Sequence, residues 1–394
     1  MKNISSLMKN KYIWFVIAAL IIKFGLFSYM VVFSPQGKFQ PDSGDYFKTA
    51  EMIATRGAFA LDVDGKLNFE LFRTPGFPFF LAIFHYLLKI PLEGVIFLQI
   101  LLAISVAFIT YKAAYEINQK IAFLSAMIVL YSPPITIYSL QVLADTLFLF
   151  LISLFLLVFI RYIKGRKVKW LLLSAVFLAL ATYVRPVSYY FCLAVAIFIV
   201  YANIRDKSWW KIFHAPVFLL IAYSLLGIWL VRNHIHFQRY IFTNIQSDYR
   251  AFPVFEYYAK NDYFLGKTVA PIFSYINTAW NCFLSLMTRP GSLKYLHSYP
   301  LTVIGKILGY PFVVFWWIGL LAGLIRIGKN IYYQFILFMM AYFISITIAV
   351  IARSSGERYL IPIIPLIAII SANGWVKLRE IYLRRKRIHP LQHL

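Results

Sequence analysis

Residues 145–169 read Asp-Thr-Leu-Phe-Leu-Phe-Leu-Ile-Ser-Leu-Phe-Leu-Leu-Val-Phe-Ile-Arg-Tyr-Ile-Lys-Gly-Arg-Lys-Val-Lys. The stretch opens on a carboxylate, runs from Leu147 to Ile160 without a charge, and closes on five Lys/Arg. A run of about 20 apolar residues crosses a hydrocarbon core roughly 30 Å thick, so this is a transmembrane helix with one acidic and one basic end. Working outward, nine further apolar runs bounded by charges or turn residues fall at 12–33, 92–115, 121–138, 170–184, 187–201, 212–230, 303–325, 332–352 and 359–376. Of the 394 residues 61% are hydrophobic and 14% charged, against roughly 45–50% and about 25% in soluble domains. Soluble globular and disordered classes are excluded. The expected fold is an all-α polytopic integral membrane protein with about ten spans, the first a retained anchor because no small-residue cleavage site precedes Ser34-Pro35.

The net charge of +24 does not point to nucleic acid, which asks for a basic face on a soluble fold. With the N-terminus inside, segments 1–11, 112–120, 161–169, 203–211, 326–331 and 377–394 hold 21 Lys/Arg and three acids, Glu116, Asp206 and Glu380. The other side holds 16 Lys/Arg and 12 acids. The positive-inside rule therefore puts both termini in the cytoplasm of a plasma or inner membrane. Two outer loops exceed tight-turn length, 34–91 and 231–302, and neither suits an independent soluble domain. Residues 1–394 read as a single membrane domain with a basic tail at 377–394. No internal repeat is visible. Cys192 in a span and Cys282 in the second loop supply neither a disulfide framework nor zinc spacing.

Ionisable residues at membrane boundaries are costly, and the topology gathers them on the outer face. Asp42 and Asp45 follow the first span. The stretch from Asp45 to Arg56 reads as a short helix lying in the membrane plane, stopped by Gly57 and presenting Tyr46, Phe47, Ala50, Ile53 and Ala54 on one side. Asp42 either caps that helix or serves a site. Arg73 precedes a short amphiphilic stretch, Phe77 to Ile90, too short to cross and expected at the interface. Asp145 opens the fourth span with no cation near it in sequence; it caps the span or faces a cavity. Arg185, Arg232, Arg353 and Arg358 occupy the other outer corners, where each alone could snorkel to lipid phosphates. Carboxylates beside several arginines, open to lipid, suit transfer of a sugar from a lipid phosphate. A base takes the acceptor's hydroxyl proton and cations stabilise the departing phosphate, each worth about two to four decades in rate. A monophosphate leaving group needs no metal, and no metal-binding constellation is evident.

These residues resemble the polytopic GT-C glycosyltransferases, in particular the group of lipid A aminoarabinose transferases and protein O-mannosyltransferases. The resemblance runs in order through Asp42-Ser-Gly-Asp-Tyr46, Arg73-Thr-Pro-Gly-Phe-Pro78, Leu143-Ala-Asp-Thr-Leu147, the Trp-x-x-Arg-Asn corner at Trp229–Asn233 and Arg-Tyr-Leu-x-Pro at Arg358–Pro362. It implies a GT-C fold with interfacial helices in the first outer loop and an extracytoplasmic active site. It also implies Asp42 as base on the acceptor and Asp145 as second carboxylate, with Arg73, Arg232 and Tyr359 at the donor phosphate and Arg358, Arg185 and Tyr46 as neighbours. Many relatives carry Asp-Glu where this chain has Asp42-Ser43, so a second acid is either Asp45 or absent. The implied partners are a polyprenyl-phosphate sugar donor, such as an undecaprenyl one, a lipid, glycan or protein acceptor, and membrane lipids. Nucleic acid is not among them. No cofactor is expected, although a divalent metal is compatible. Acceptor recognition is left to 231–302.

Three patterns compete for attention. Asp62-Val-Asp64-Gly65 matches the metal-holding Asp-x-Asp of nucleotide-sugar transferases but reads better as a turn. His234-Ile-His236 lacks a nearby third ligand and reads as a loop feature. Lys23, inside the first span, snorkels or faces the bundle. The rival functions are a lipid-linked sugar flippase or transporter, which would keep its polar site at the midplane on repeats, and a polysaccharide ligase or polymerase.

Overall fold

The computed structural model describes residues 11–243, 280–281, 283–284, 288, 299–325, 327–351 and 357–388. The first apolar run forms α1 (Lys11–Phe33), followed by α2 (Ser43–Arg56), the strands β1 (Ala60–Val63) and β2 (Lys66–Phe69), and α3 (Gly76–Leu81). Then come α4 (Leu92–Ile117), α5 (Gln119–Leu130), α6 (Pro133–Ser139), α7 (Asp145–Gly165), α8 (Val168–Val184), α9 (Phe191–Arg205) and α10 (His214–Phe237). The last three helices are α11 (Tyr299–Leu324), α12 (Ile331–Ile351) and α13 (Ile364–Ile388). The chain is a multi-pass membrane protein: among the described residues eight helical segments are long and apolar enough to cross a bilayer.

The other two expected spans depart from the simple pattern for visible reasons. The run at 121–138 is a broken one, α5 and α6 meeting at a bend of 50°. Pro133 and Pro134 cannot continue the amide ladder of α5, so the chain restarts with proline in the first turn of α6. The run at 170–184 becomes α8, whose 17 residues rise about 25 Å at ~1.5 Å each, short of the hydrocarbon thickness. The interfacial helices of the first loop are present as α2 and α3. The latter continues through a π-helical stretch, Ala82–Leu87, and is too short to cross.

Loop 34–91 departs from all-helical structure in one hairpin. β1 pairs antiparallel with β2, Val63 opposite Lys66, through Asp64-Gly65, both at positive φ (52° and 77°), the geometry of a two-residue type I′ turn. The expected turn at Asp62-Val-Asp64-Gly65 is therefore the tip of this hairpin, with Asp62 Oδ1 accepting from the Gly65 N–H at 2.9 Å and pairing with Arg56 at 2.9 Å.

Helices α7 and α13 are central, 72% and 83% of their apolar windows being buried against 17% for α1. That difference matters because a helix inside the bundle can carry a charge where its neighbours supply the partner that lipid cannot. α7 packs between α4 and α8, while α11 lies along α13. The last contact is close enough that a Cβ on Gly374 would run into the Gly319 carbonyl oxygen. Lys23 faces the bundle, fully buried, and donates to Thr136 Oγ1 of α6 at 2.6 Å.

Candidate active site

Helix α2 ends as its sequence dictates: Gly57 adopts φ 63° and its N–H returns to the Ile53 and Met52 carbonyls, a left-handed C-cap open to glycine at little cost. At its other end Asp42 precedes Ser43 but makes no side-chain cap bond. The capping account of Asp42 is corrected by where its carboxylate goes. Oδ1 accepts from Arg73 Nη2 at 3.0 Å and Oδ2 from Arg358 Nη1 at 2.6 Å. Asp145 likewise caps nothing, since Ala144 is the N-cap residue of α7 and makes no cap bond. Its fully buried carboxylate accepts from Arg185 Nη1 on Oδ1 and from Arg358 Nε on Oδ2, the latter at 2.7 Å. Asp45 Oδ2 takes Arg73 Nη2 at 2.8 Å and Nε at 3.3 Å.

The result is one alternating row, Asp45–Arg73–Asp42–Arg358–Asp145–Arg185, assembled from the first loop, the start of α7, the end of α8 and the turn Glu357–Ile363 before α13. Three acids and three arginines balance. Arg358 uses two nitrogens of its planar fork, Nη1 and Nε, to hold both candidate catalytic carboxylates in a fixed geometry. Burial opposes the ionisation of Asp42, but Arg358 and Arg73 outweigh it and hold its carboxyl below the usual range. Tyr46 is buried, which raises its phenol above the ordinary value; its ring lies edge-on to Phe77 at 5.0 Å and under the Arg73 guanidinium at 5.2 Å. The Tyr359 ring lies 5.4 Å from the Arg185 guanidinium.

The sequence that brings these corners together is local and small. Ser43 Oγ accepts from the Gln40 N–H and donates to the Val142 carbonyl, both at 2.9 Å, while the Val142 N–H returns to Lys38 at 2.9 Å. Ser43 thus stitches the first loop to the turn ahead of Asp145, and Asp45 is the third carboxylate of the group. On the other side Thr74 Oγ1 donates to the Val184 carbonyl at 2.9 Å. At Gly76 an added Cβ would sit 2.8 Å from the Tyr183 backbone and from Val184 Cγ2. Close approach at this glycine seats Arg73 beside the arginine corner of α8. Glu70, buried and overlooked in the sequence, accepts the Phe72 and Arg73 N–H groups on Oε1. A glutamate three residues before an arginine, shortly ahead of Pro75, is the only mark it leaves in the sequence.

Arg232 stands apart from the row. Its guanidinium donates to the Glu70 and Phe59 carbonyls at 2.8 and 2.7 Å and to Asn233 Oδ1 at 2.8 Å. It is enclosed by the rings of Trp229, Phe59, Phe237 and Phe69 at 4.7–5.6 Å. Here it clasps the hairpin segment that leads to Arg73. His236 stacks on Phe69 and His234 on Tyr240, at 3.8 and 3.9 Å; both sit in the last turn of α10 and not in the loop expected for them, because the helix runs on past the apolar stretch to Phe237. Among the described residues no group of three or more His, Cys, Asp or Glu converges on a point that could hold a metal ion. Arg353, Cys282 and most of 231–302 lie outside the described residues. The three acids of the basic segments each meet a cation: Glu116 with Arg161 at 3.0 Å and Lys164 at 2.9 Å, Asp206 with Arg166 at 2.5 Å, Glu380 with Lys120 at 2.8 Å. The Glu116 pairs and the Asp145 pairs sit at opposite ends of α7.

Known proteins agree with this architecture. Residues 73–231 match the family described as dolichyl-phosphate-mannose-protein mannosyltransferase. No curated protein matches the chain. The archaeal oligosaccharyltransferase AglB from Archaeoglobus fulgidus, in complex with an inhibitory peptide and a dolichol-phosphate, superimposes with a TM-score of 0.59 at 12% identity, over 98% of this chain and 52% of that one. The apo form of the same enzyme gives 0.55 at 12% identity, over 96% and 52%. ArnT from Cupriavidus metallidurans bound to undecaprenyl phosphate is 18% identical, with a TM-score of 0.48 over 93% and 60%. The chain spans about half the length of the oligosaccharyltransferase it matches. The chain is a multi-pass membrane protein that shares its fold with the membrane region of the archaeal oligosaccharyltransferase and, over residues 73–231, is similar to the dolichyl-phosphate-mannose-protein mannosyltransferases.

Proposed function

We propose that the chain is a glycosyltransferase that moves a sugar from a polyprenyl-phosphate donor to an acceptor hydroxyl, in lipid, glycan or protein, at the extracytoplasmic face. Asp42 takes the hydroxyl proton as the acceptor oxygen attacks the anomeric carbon. The bond from that carbon to the phosphate oxygen breaks with its electron pair on phosphate, and the sugar's configuration inverts. Arg73 and Arg358 stabilise the charge that develops, with Arg185 behind them on Asp145. Asp145 orients Arg358, while Tyr46 and Tyr359 wall the guanidinia. Arg232 acts one step away, by holding the loop of Arg73.

The observation that carries this reading is the pair of carboxylates from distant segments held on one guanidinium, Asp42 and Asp145 on Arg358. A base and a phosphate-binding cation already in contact are what such a displacement requires. The match to a family that uses dolichyl phosphate mannose supports the class of donor. The positive-inside distribution supports the orientation. The test is to offer the purified chain a panel of polyprenyl-phosphate sugars with candidate acceptors and follow donor consumption. Asp42→Asn should stop transfer while leaving the protein folded; turnover at the wild-type rate by that variant would overturn the assignment of the base.

A further inference from the structure

Every guanidinium in the row is already occupied by carboxylate. Arg73 holds Asp45 and Asp42, Arg358 holds Asp42 and Asp145, and Arg185 holds Asp145. With three acids against three arginines the site is neutral, so a phosphate cannot simply add to a free cation; it has to take one from a carboxylate. Asp145 is fully buried, whereas the Asp42 side chain is 28% exposed; Asp45 is more exposed, at 47%, but holds Arg73 alone, so only Asp42 can release both Arg73 and Arg358. Asp42 is the carboxylate placed to yield.

We propose that Arg73 and Arg358 are shared between the base and the leaving phosphate, so that a phosphate monoester occupies this site together with one proton, carried by Asp42. The charges balance in the reaction as written above, on whose donor class this rests. The phosphodiester donor bears one negative charge. When the acceptor proton reaches Asp42, that carboxylate goes from one negative charge to none, and the phosphate goes from one to two. Site plus ligand keep the same total while the two arginines change partner. Exchange at constant charge avoids leaving a bare charge in a poorly solvated site, where Coulomb terms are large. The same exchange means that the empty site holds Asp42 as a weak base, and that phosphate, by drawing off Arg73 and Arg358, strengthens it. The groups facing Asp42 are Arg73 from the loop before α3, Arg358 from the turn before α13, and Tyr46 and Asp45 on α2. Asp145 and Arg185 lie beyond Arg358.

The test uses the full-length protein in detergent and a short-chain prenyl monophosphate, titrated calorimetrically at pH 7.5 in two buffers of different ionisation enthalpy. The wild type should take up about one proton per ligand bound, and its Kd should rise about tenfold per pH unit on the alkaline side. Asp42→Asn should take up none, keep a flat Kd, and bind more tightly than wild type at high pH. A purely structural role for Asp42 would not produce that gain. Asp45→Asn should retain the uptake. Wild-type binding without proton uptake overturns the proposal, and so does uptake that persists in Asp42→Asn. Absence of any binding by the wild type overturns the polyprenyl-phosphate reading instead.

Discussion

Replacing Arg358 with alanine tests the row at its centre. The guanidinium reaches Asp42 at 2.6 Å and Asp145 at 2.7 Å, and Asp145 has no exposed surface. Arg358→Ala therefore leaves one oxygen of a fully buried carboxylate without its cation and Asp42 with Arg73 alone. Removing one partner of a buried pair costs about 3–5 kcal/mol, because the orphaned charge keeps its desolvation penalty without its Coulomb partner. The Asp145 pair with Arg185 survives, which places the loss toward the lower half of that range. Arg358→Lys should fall between, since an ammonium keeps the charge but not the planar two-nitrogen fork that meets Asp42 and Asp145 together. The assay is unfolding in detergent with SDS or heat, on the two singles Arg358→Ala and Asp145→Asn and on their double. If the guanidinium is shared, the double variant costs less than the sum of the singles, by about 0.5–3 kcal/mol, because the asparagine removes the charge that alanine stranded. Additive losses, or an Arg358→Ala protein within about 0.5 kcal/mol of wild type, would refute the shared pair.

Two further outcomes follow from the surrounding geometry. Gly76→Ala puts a methyl 2.8 Å from the Tyr183 backbone. Overpacking of this kind costs about 1–3 kcal/mol, but displacing Arg73 by even about 1 Å should lower turnover on the order of 100-fold; turnover falling no more than stability would separate Arg73 from the chemistry. As for acid, the lowered folded-state pKa of Asp42 contributes stability in full above the ordinary carboxylate value of about 3.9, lost as pH falls through the lower folded value. Unfolding scans from pH 6 down to 2.5 should show a steeper loss for wild type than for Asp42→Asn; identical slopes would remove the arginines as the cause.

The residues of the site were readable in the sequence where each interrupts an apolar run or borders one. Asp145 stands out because Leu147 to Ile160 carries no other charge, and Asp42, Arg73 and Arg358 because lipid penalises charges near it. Helix α2 could be drawn to its last residue, since Gly57 ends it by conformation alone. Glu70 and Ser43 were not readable in the same way. Their bonds are to backbone groups, three of them close in sequence and one on Val142 in another segment, and a backbone donor or acceptor leaves no trace in side-chain pattern. The split of α5 from α6 was written in Pro133-Pro134, yet hydropathy averages across a proline pair and joins the two.

What the sequence determined by itself is the class of solvent around the chain and the position of eight of the ten expected spans, because hydropathy is additive along the chain and needs no partner. Pairing is not additive. Asp42 and Arg358 are 316 residues apart, and both could equally have pointed to lipid headgroups or water. Only the packing of the α8 end against Gly76, and of the turn before α13 against α7, decided that three acids and three arginines alternate in one row. It also decided that Arg232, a residue of the same type at a similar corner, is spent on backbone carbonyls and aromatic rings instead. A charge near the membrane must find a counterpart, but which counterpart depends on what the folded backbone brings within about 3 Å.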